Sequence, residues 1–181
     1  MDRYAEGDDS AFAELYDVLA PHILGFAINL ARHRALAEDV VQQTFLQLHR
    51  SRSRWVRGAQ VFPYAFAIAH YQFIDWTRRE KHEQLVSAET LELEEPASGA
   101  PGADNELDGK RRLAAVLEQL QLLPGHHRLA FQLVVIEDLS IAEAAEVLGL
   151  SAGNVRVQVH RAREALRRLQ EPPPTLPATT E

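Results

Sequence analysis

The feature that most constrains this chain is a dense run of helix start and stop signals over residues 140–169, SIAEAAEVLGLSAGNVRVQVHRAREALRRL. Ser140 and Glu143 have the S-x-x-E spacing of a capping box, in which both side chains satisfy free backbone N–H groups at a helix start. Gly149 stands where a left-handed residue would end that short helix, and Ser151 can cap the next one. A short helix, a glycine-bearing turn and a longer helix together predict a helix-turn-helix.

The longer helix has an apolar stripe on one side and a basic face on the other. Helical spacing predicts the buried stripe, which comprises Val155, Val159, Ala162, Leu166 and Leu169. The opposite side holds Arg156, Val157, His160, Arg161 and Glu164. In a helix-turn-helix the early exposed positions of the second helix meet base edges in the major groove, where arginine matches two acceptors of guanine. We favour DNA reading over a solvated amphipathic helix because the turn and both caps are in register.

One position on this face leaves two alternatives open. An exposed Val157 could touch a thymine methyl group in the major groove. Alternatively, the helix is rotated from the assumed orientation and Val157 packs inside the protein.

The net charge of the chain is concentrated in one segment. The sequence has 19 Lys and Arg against 26 Asp and Glu, a formal charge of -7. Eight of the acids and no Lys or Arg fall within residues 83–109, so the remainder has 26 − 8 = 18 acids against 19 bases. This segment also contains Pro, Gly and Ser with little to bury, which is typical of a linker. The proline-rich residues 171–181 predict a disordered tail.

No window shows sustained period-two alternation, and several show helical spacing. We therefore predict an all-α fold of two small helical domains, an N-terminal bundle over 1–82 and a C-terminal helix-turn-helix bundle over 110–170, joined by an acidic flexible linker over 83–109. The N-terminal pattern predicts helices at 37–49 and 62–79, and over 11–30 either one helix or a pair of helices, with the break, if there is one, at Pro21. The C-terminal pattern resumes at Lys110 and breaks at 123–125.

Composition excludes several classes of protein. The chain has no cysteine, so it has neither a disulfide framework nor a thiolate metal site. It shows no apolar run near the roughly 18 residues that a membrane span needs and no basic-then-apolar secretion signal at its start. These features predict a cytoplasmic protein without membrane insertion.

The sequence gives no sign of an enzyme. It contains no phosphate-binding glycine loop, nucleophile elbow or metal-spaced histidine cluster. His126 and His127 are adjacent and follow a Pro-Gly turn, which is poor geometry for metal ligands. We expect no catalytic residue, no metal and no cofactor.

The N-terminal block has two candidate surfaces. The helix near residue 40 turns one polar face away from its apolar stripe: Glu38, Asp39, Gln42, Gln43 and Gln47. From the residues alone, a solvated helix face is favoured there over a docking surface. The second surface interleaves basic residues with aromatic ones, the side chains that bind single-stranded nucleic acid by stacking on bases and tracking phosphates. Its candidate aromatic contacts are Tyr64, His70, Tyr71 and Trp76, whereas Phe66 and Phe73 are expected to pack in the core.

Three sets of motifs, taken together and in this order, resemble the extracytoplasmic-function (ECF) group of bacterial sigma factors. The family's region two begins with stretches similar to AFAELYDVLAPHILGFA and AEDVVQQTFLQLH, and it ends with one similar to IAHYQFIDWTRRE. Its region four is similar to residues 123–169, beginning LPGHHRLAF. The similarity covers nearly all of both helical blocks.

The resemblance implies a function, and it implies a set of residues for each of the three binding activities that make up this function. Such proteins bind core RNA polymerase, recognise promoters and help to open the duplex. For the minus-thirty-five element it implies Ser151, Asn154, Arg156, Val157, His160 and Arg161. For the unpaired minus-ten element it implies Tyr64, His70, Tyr71, Trp76, Arg78 and Arg79. For the polymerase clamp it implies Glu38, Asp39, Gln42 and Gln43. An anti-sigma factor is a candidate further partner, and the linker is expected either to enter polymerase channels or to act as a solvated tether.

The chain departs from the family pattern at three places. Gln43 replaces a common Glu, Tyr71 replaces a common Asn, and Arg156-Val157-Gln158 replaces a Lys-Ser-Arg run. The departures in the recognition helix predict that promoter specificity is decided at Val157 and Gln158. The alternative functions are a polymerase-independent helix-turn-helix regulator and an adaptor that binds a partner without reading DNA, the latter disfavoured by the basic face.

Overall fold

The computed structural model describes residues 1–31, 33–86 and 119–170. Within these ranges the protein is helical and has no strand. The α-helices with described bounds are α1 (Asp2–Ala5), α2 (Ala11–Ala31), α3 (Arg34–Ser51), α4 (Val61–Val86), α5 (Gly125–Phe131), α6 (Ile141–Leu148) and α7 (Ala152–Gln170). A 3-10 turn, Arg52–Arg54, follows α3, and α5 continues as a π-helix, Gln132–Ile136.

Helix α2 packs against α3 and α4 in the N-terminal bundle and runs unbroken through Pro21. A proline inside a helix removes one backbone hydrogen bond, and this loss motivated the predicted break. Here Pro21 is exposed, while Leu19 and Ile23 on either side are completely buried. Packing of this buried face against α3 and α4 keeps the helix continuous, and the expected break is absent.

The bundle core is built from large apolar side chains of α2, α3 and α4. Phe26 and Phe66 meet edge to face, with ring centroids 5.1 Å apart, and Leu48 of α3 is fully buried with them. Burying one such side chain contributes about 1.5–3 kcal/mol. The expectation that Phe66 packs in the core is confirmed, whereas Phe73 is half-buried at the edge of that core.

The helix-turn-helix forms with the local signals that its sequence carries. Ser140 and Glu143 form both bonds of the capping box, at 3.2 and 2.8 Å. Gly149 ends α6 in the left-handed conformation with φ 64°. Ser151 Oγ then accepts a hydrogen bond from the backbone N–H of Asn154 and caps α7.

The two helical blocks share one hydrophobic core. Side chains of α5, its π-helical extension, α6 and α7 cluster with the core of α2, α3 and α4; the C-terminal members are Ala130, Leu133, Leu139, Ala144, Ala145, Val147, Val155 and Val159. The most extensive contacts between the blocks are those of α4 with α6 and of α2 with α5. A smaller apolar cluster holds α5 to α7 around Phe131 and Leu166.

Three expectations on chain organisation can be compared with the structure only in small part. Helix α4 extends to Val86, so it includes residues 83–86 of the expected linker. The rest of that linker, the predicted helix start at Lys110 and the predicted tail over 171–181 lie outside the described residues.

By length and composition, α2 could cross a membrane, with a mean hydropathy of 1.3 over its most apolar window. This differs from the expectation that the chain contains no apolar run long enough to span a membrane. The helix packs against α3 and α4, and the core helix of a soluble protein meets the same criterion.

Candidate nucleic-acid and docking interfaces

The outer face of α7 carries the residues expected to read duplex DNA. Arg156, Val157, His160 and Arg161 are all exposed and lie within an arc of about 140° around the helix axis. Val157 is 46% exposed, so the alternative in which α7 is rotated and Val157 packs does not hold. The opposite side is buried at four of the five expected positions, and the side chain of the fifth, Leu169, lies outside the described residues.

The start of α7 is fixed by side-chain hydrogen bonds. The Ser151 cap leaves its hydroxyl engaged with the backbone of Asn154 at 3.2 Å. The Asn154 side-chain oxygen in turn accepts a hydrogen bond from Gln158 Nε2 at 2.8 Å. These two hydrogen bonds hold Gln158 beside Asn154. The free backbone N–H groups at the start of α7 also give this end of the helix a partial positive charge, which favours the binding of phosphate.

The basic face continues along α7 beyond the predicted reading positions. At 100° per residue, Arg163 and Arg167 lie within about 20° of the line through Arg156, and both are exposed. His160 Nε2 lies 3.7 Å from a carboxylate oxygen of Glu164, which places one acid on the same face. The arrangement suits a helix whose first turns meet bases and whose later arginines meet phosphates.

The expected single-strand contacts on α4 fall on different sides of that helix. Tyr64, Tyr71 and Arg78 are exposed and follow one another at a spacing of seven residues, so they are nearly in line, with Arg79 beside them. Tyr71, at 58% exposure, is the most open of the aromatic rings in this line. Trp76 lies away from it, stacked on the half-buried ring of Phe73 with centroids 6.3 Å apart.

His70 is also away from this line and faces the C-terminal block. Burial lowers the pKa of His70, and a hydrogen bond to the backbone of Val147 in α6 opposes that shift. Close to this contact, α4 and α6 enclose a crevice of about 320 Å³ with Tyr64 on one wall and Glu143 and Glu146 on the other. The structure thus separates the exposed line of Tyr64, Tyr71 and Arg78 from His70, which α6 partly covers.

The polar face of α3 is exposed as the sequence suggests. Glu38, Asp39, Gln42 and Gln43 all lie on the solvent side of the helix, and Gln47 is half-buried. Arg34 Nε donates to a carboxylate oxygen of Glu38 at 2.8 Å, whereas Asp39 forms no ion pair with any residue that the structure describes.

The polar face of α3 also contains an apolar residue, Leu46, that the sequence did not lead us to expect. Leu46 is 40% exposed and lies between the polar positions, off the buried stripe. A groove of about 910 Å³ runs beside it between α2 and α3, with Phe12, Tyr16 and Phe45 on its walls and Glu38 and Gln42 at its edge. The sequence did contain a signal for this apolar position. At helical spacing, Leu46 does not lie on the buried stripe that Val41, Phe45 and Leu48 form. A surface with carboxylates around an apolar strip suits a protein partner better than nucleic acid.

Residues that could bind a metal ion do not converge in the part of the chain that the structure describes. The rings of His126 and His127 contact each other, with centroids 4.4 Å apart.

The comparisons with known proteins cover both blocks. Residues 15–83 match the family model of Sigma-70 region 2, and residues 113–166 match that of Sigma-70, region 4. The RNA polymerase sigma factor CarQ of Myxococcus xanthus is 36% identical over 93% of this chain and 94% of its own length. The ECF RNA polymerase sigma factor SigF of Caulobacter vibrioides is 32% identical over 92% of this chain and 89% of its own.

Solved structures show the same architecture. The sigma factor RpoE of Bartonella quintana, solved in complex with the anti-sigma factor NepR, matches with a TM-score of 0.70 and 25% identity over 88% of this chain and 96% of that one. CnrH, solved with the cytosolic domain of CnrY, matches with a TM-score of 0.61 at 23% identity, which supports the fold. The order of the two region models, the helix-turn-helix with an exposed basic face, and the coverage of the relatives agree on one assignment. The chain belongs to the ECF group of RNA polymerase sigma factors.

Proposed function

We propose that this sigma factor divides its work among three helices. Helix α3 binds core RNA polymerase through Glu38, Asp39, Gln42 and Gln43. Helix α4 binds unpaired bases of the minus-ten element through Tyr64, His70, Tyr71, Trp76, Arg78 and Arg79. Helix α7 reads the minus-thirty-five element through Ser151, Asn154, Arg156, Val157, His160 and Arg161.

The observation that carries the proposal is the outer face of α7. Two arginines, a histidine and a valine are exposed on the first turns of the second helix of a helix-turn-helix, where base edges are met. Arg156 and Arg161 can each offer a bidentate fork to guanine, and Val157 can contact a thymine methyl. Phosphate contacts fall to Arg163, Arg167 and the helix N-terminus.

The line of Tyr64, Tyr71 and Arg78 supports the single-strand role of α4. Opening the duplex costs stacking energy, and exposed rings recover part of it by stacking on the freed bases. Arg78 lies two turns beyond Tyr71, where it can pair with the phosphate of a stacked nucleotide. His70 and Trp76 join this surface only after they leave their present neighbours, α6 and Phe73.

The exposed face of α3 supports docking on polymerase. Asp39 offers a carboxylate that an arginine on the clamp could meet bidentately. Leu46, which lies between the polar positions, supplies the apolar centre that a stable protein interface requires.

The remaining assignments concern the chain as a whole. We place a region-2-like domain at 1–82, an acidic linker at 83–109, a region-4-like domain at 110–170 and a tail at 171–181. The protein acts in the cytoplasm as an initiation factor without catalytic activity of its own. An anti-sigma factor is a further partner, by analogy with RpoE of Bartonella quintana in its complex with NepR.

In-vitro transcription with core polymerase on a promoter library tests this proposal. With both elements randomised, transcripts should arise only when polymerase and this protein are present together, and they should select bases in both elements. A polymerase-independent regulator would instead bind the selected duplex with equal specificity alone. An adaptor would bind core enzyme and select no sequence.

A further inference from the structure

The loop that joins the 3-10 turn to α4 leads directly into the proposed single-strand surface. It comprises residues 55–60, between Arg54 and the first residue of α4, Val61. The ring of Trp55 in this loop lies against the ring of Tyr64, with centroids 5.6 Å apart. Tyr64 is the first residue of the exposed line on α4, so the conformation of the loop affects one end of that line.

Packing gives this loop little support. None of residues 55–60 is buried, and Val56 is 72% exposed. Gly58 has a φ of 78°, in the left-handed region that favours glycine. Ordering a loop costs backbone entropy, and without buried side chains the loop depends on hydrogen bonds to offset that cost.

One carboxylate supplies hydrogen bonds to both parts of the loop. Asp2 Oδ1 accepts from the indole Nε1 of Trp55 at 2.6 Å. The backbone N–H of Gly58 donates to the two carboxylate oxygens at distances of 3.3 and 3.2 Å. The hydrogen bond from Trp55 lowers the pKa of Asp2 from its usual value, as expected for a donor that binds the ionised form. We call Asp2 with these two donors the Asp2 clamp.

The position of Asp2 is itself fixed by the burial of Tyr4 in α1. Tyr4 is 3% exposed, its ring packs against Phe12 with centroids 5.3 Å apart, and its hydroxyl is hydrogen-bonded to His49. The guanidinium of Arg52 lies over the same ring at 5.4 Å. Helix α1 is therefore anchored to α2 and α3, and this anchor holds Asp2, two residues earlier, beside the loop.

A neighbouring ion pair provides a contrast to the clamp. Arg57 of the loop lies 3.0 Å from a carboxylate oxygen of Glu6, but the two side chains are 82% and 55% exposed. Exposed ion pairs of this kind contribute little to stability, because water and salt screen them. Glu6 therefore offers a matched control: it is an acid from the same segment that contacts the same loop without contacting Trp55.

We propose that Asp2 is a positioning residue for promoter opening, which holds Trp55 against Tyr64 and so keeps this end of α4 ready to stack on an unpaired base. The inference rests on the proposed role of α4 in binding the minus-ten strand. A loop that is ordered before the strand arrives does not have to be ordered during binding. The conformational entropy saved in this way strengthens the binding of the strand.

The indole N–H signals of the free protein test the clamp itself. The chain has two tryptophans, so its NMR spectrum contains two indole N–H signals. Asp2→Ala removes the acceptor of one indole and should shift that signal alone. Asp2→Asn keeps an oxygen acceptor and should shift it less, and Glu6→Ala should leave both signals in place. Two unshifted signals in Asp2→Ala would overturn the clamp.

DNA binding by the complete holoenzyme tests the positioning role. One probe is a duplex with the minus-thirty-five element alone, and the other is a fork in which the minus-ten element is single-stranded. Asp2→Ala should weaken binding to the fork several-fold, and it should leave duplex binding and co-purification with core polymerase unchanged. Asp2→Asn and Glu6→Ala should bind the fork like the unaltered protein. Unchanged fork binding in Asp2→Ala would overturn the role, and so would equal losses in all three measurements, because a general structural defect would produce them.

A double variant tests whether Asp2 acts through Tyr64. Tyr64→Ala should weaken fork binding, and Asp2→Ala in that background should add little, because both changes affect the same contact. A further loss of full size in the double variant would overturn this route. Full fork binding in Tyr64→Ala would overturn the proposed role of this part of α4 and the positioning role with it. A loss in Tyr64→Ala with none in Asp2→Ala would overturn the positioning role alone.

Discussion

At the scale of single residues, Arg156 tests whether α7 reads bases or only holds phosphates. It is exposed at the start of the outer face, where a bidentate contact with guanine can form. Arg156→Ala should lower transcription from the preferred promoter by about 1–3 kcal/mol, roughly 5- to 150-fold, and relax specificity at one base pair. Arg168→Ala, three turns later on the same helix, is the matched control and should weaken all promoters alike. Equal losses on every promoter variant for Arg156→Ala would indicate a phosphate contact.

Val157 lies between two predicted arginine contacts and is the residue at which we expect specificity to differ from the family pattern. At 46% exposure, it makes too few contacts for its replacement to change stability by more than about 0.5 kcal/mol. Val157→Ser should therefore leave the melting temperature unchanged and alter which bases a minus-thirty-five library selects. The same selected sequence from both proteins would remove Val157 from the reading face.

Local signals in the sequence predict individual positions well when the cause is itself local. Ser140, Glu143, Gly149 and Ser151 all take the roles that their spacing predicts, because a cap depends only on neighbouring backbone groups. Pro21 is different, since its effect on the helix is decided by the packing of α2 against α3 and α4. Tertiary contacts of that kind leave no local pattern to detect.

At the scale of elements, the turn between α6 and α7 depends on one backbone conformation. Gly149 has φ 64°, and an added Cβ there would meet no atom within 4 Å. Gly149→Ala should therefore cost about 1–2 kcal/mol from backbone strain alone. Gly153→Ala, in the first turn of α7 and close to no more than the Ser151 hydroxyl, should stabilise by up to about 0.5 kcal/mol. Thermal unfolding of both variants checks the opposite signs, and a stable Gly149→Ala would contradict the role of the turn.

The face of α3 makes a second prediction at this scale. Asp39→Arg reverses the charge of an exposed carboxylate and should weaken binding to core polymerase without altering the fold. Asp17→Arg makes the same charge change at an exposed position of α2 and should bind core enzyme normally. Co-purification with core polymerase measures the difference. Undiminished recovery of Asp39→Arg would move the docking surface elsewhere, and the neighbouring Leu46 would be the next residue to change.

Across the whole molecule, the sequence predicts two helical blocks but not their contact. Asn29 and Gln132 are 103 residues apart, and polar residues at single positions carry no periodic signal. The apolar residues that cross the boundary, such as Leu133 and Val147, fit the stripes of their own helices equally well. Only their joint packing distinguishes a shared core from two separate ones.

A shared core predicts cooperative unfolding, and the positions of the tryptophans make it measurable. Trp55 and Trp76 are the two tryptophans of the chain, and both lie in the N-terminal block, so fluorescence reports that block whereas circular dichroism reports helices in both. With one core, the two probes should give coincident thermal transitions. In Gln132→Ala, which removes a hydrogen bond between the blocks, both transitions should move to lower temperature together, because the shared apolar core remains. Separate transitions in the unaltered protein would mean that each block is stable without the other.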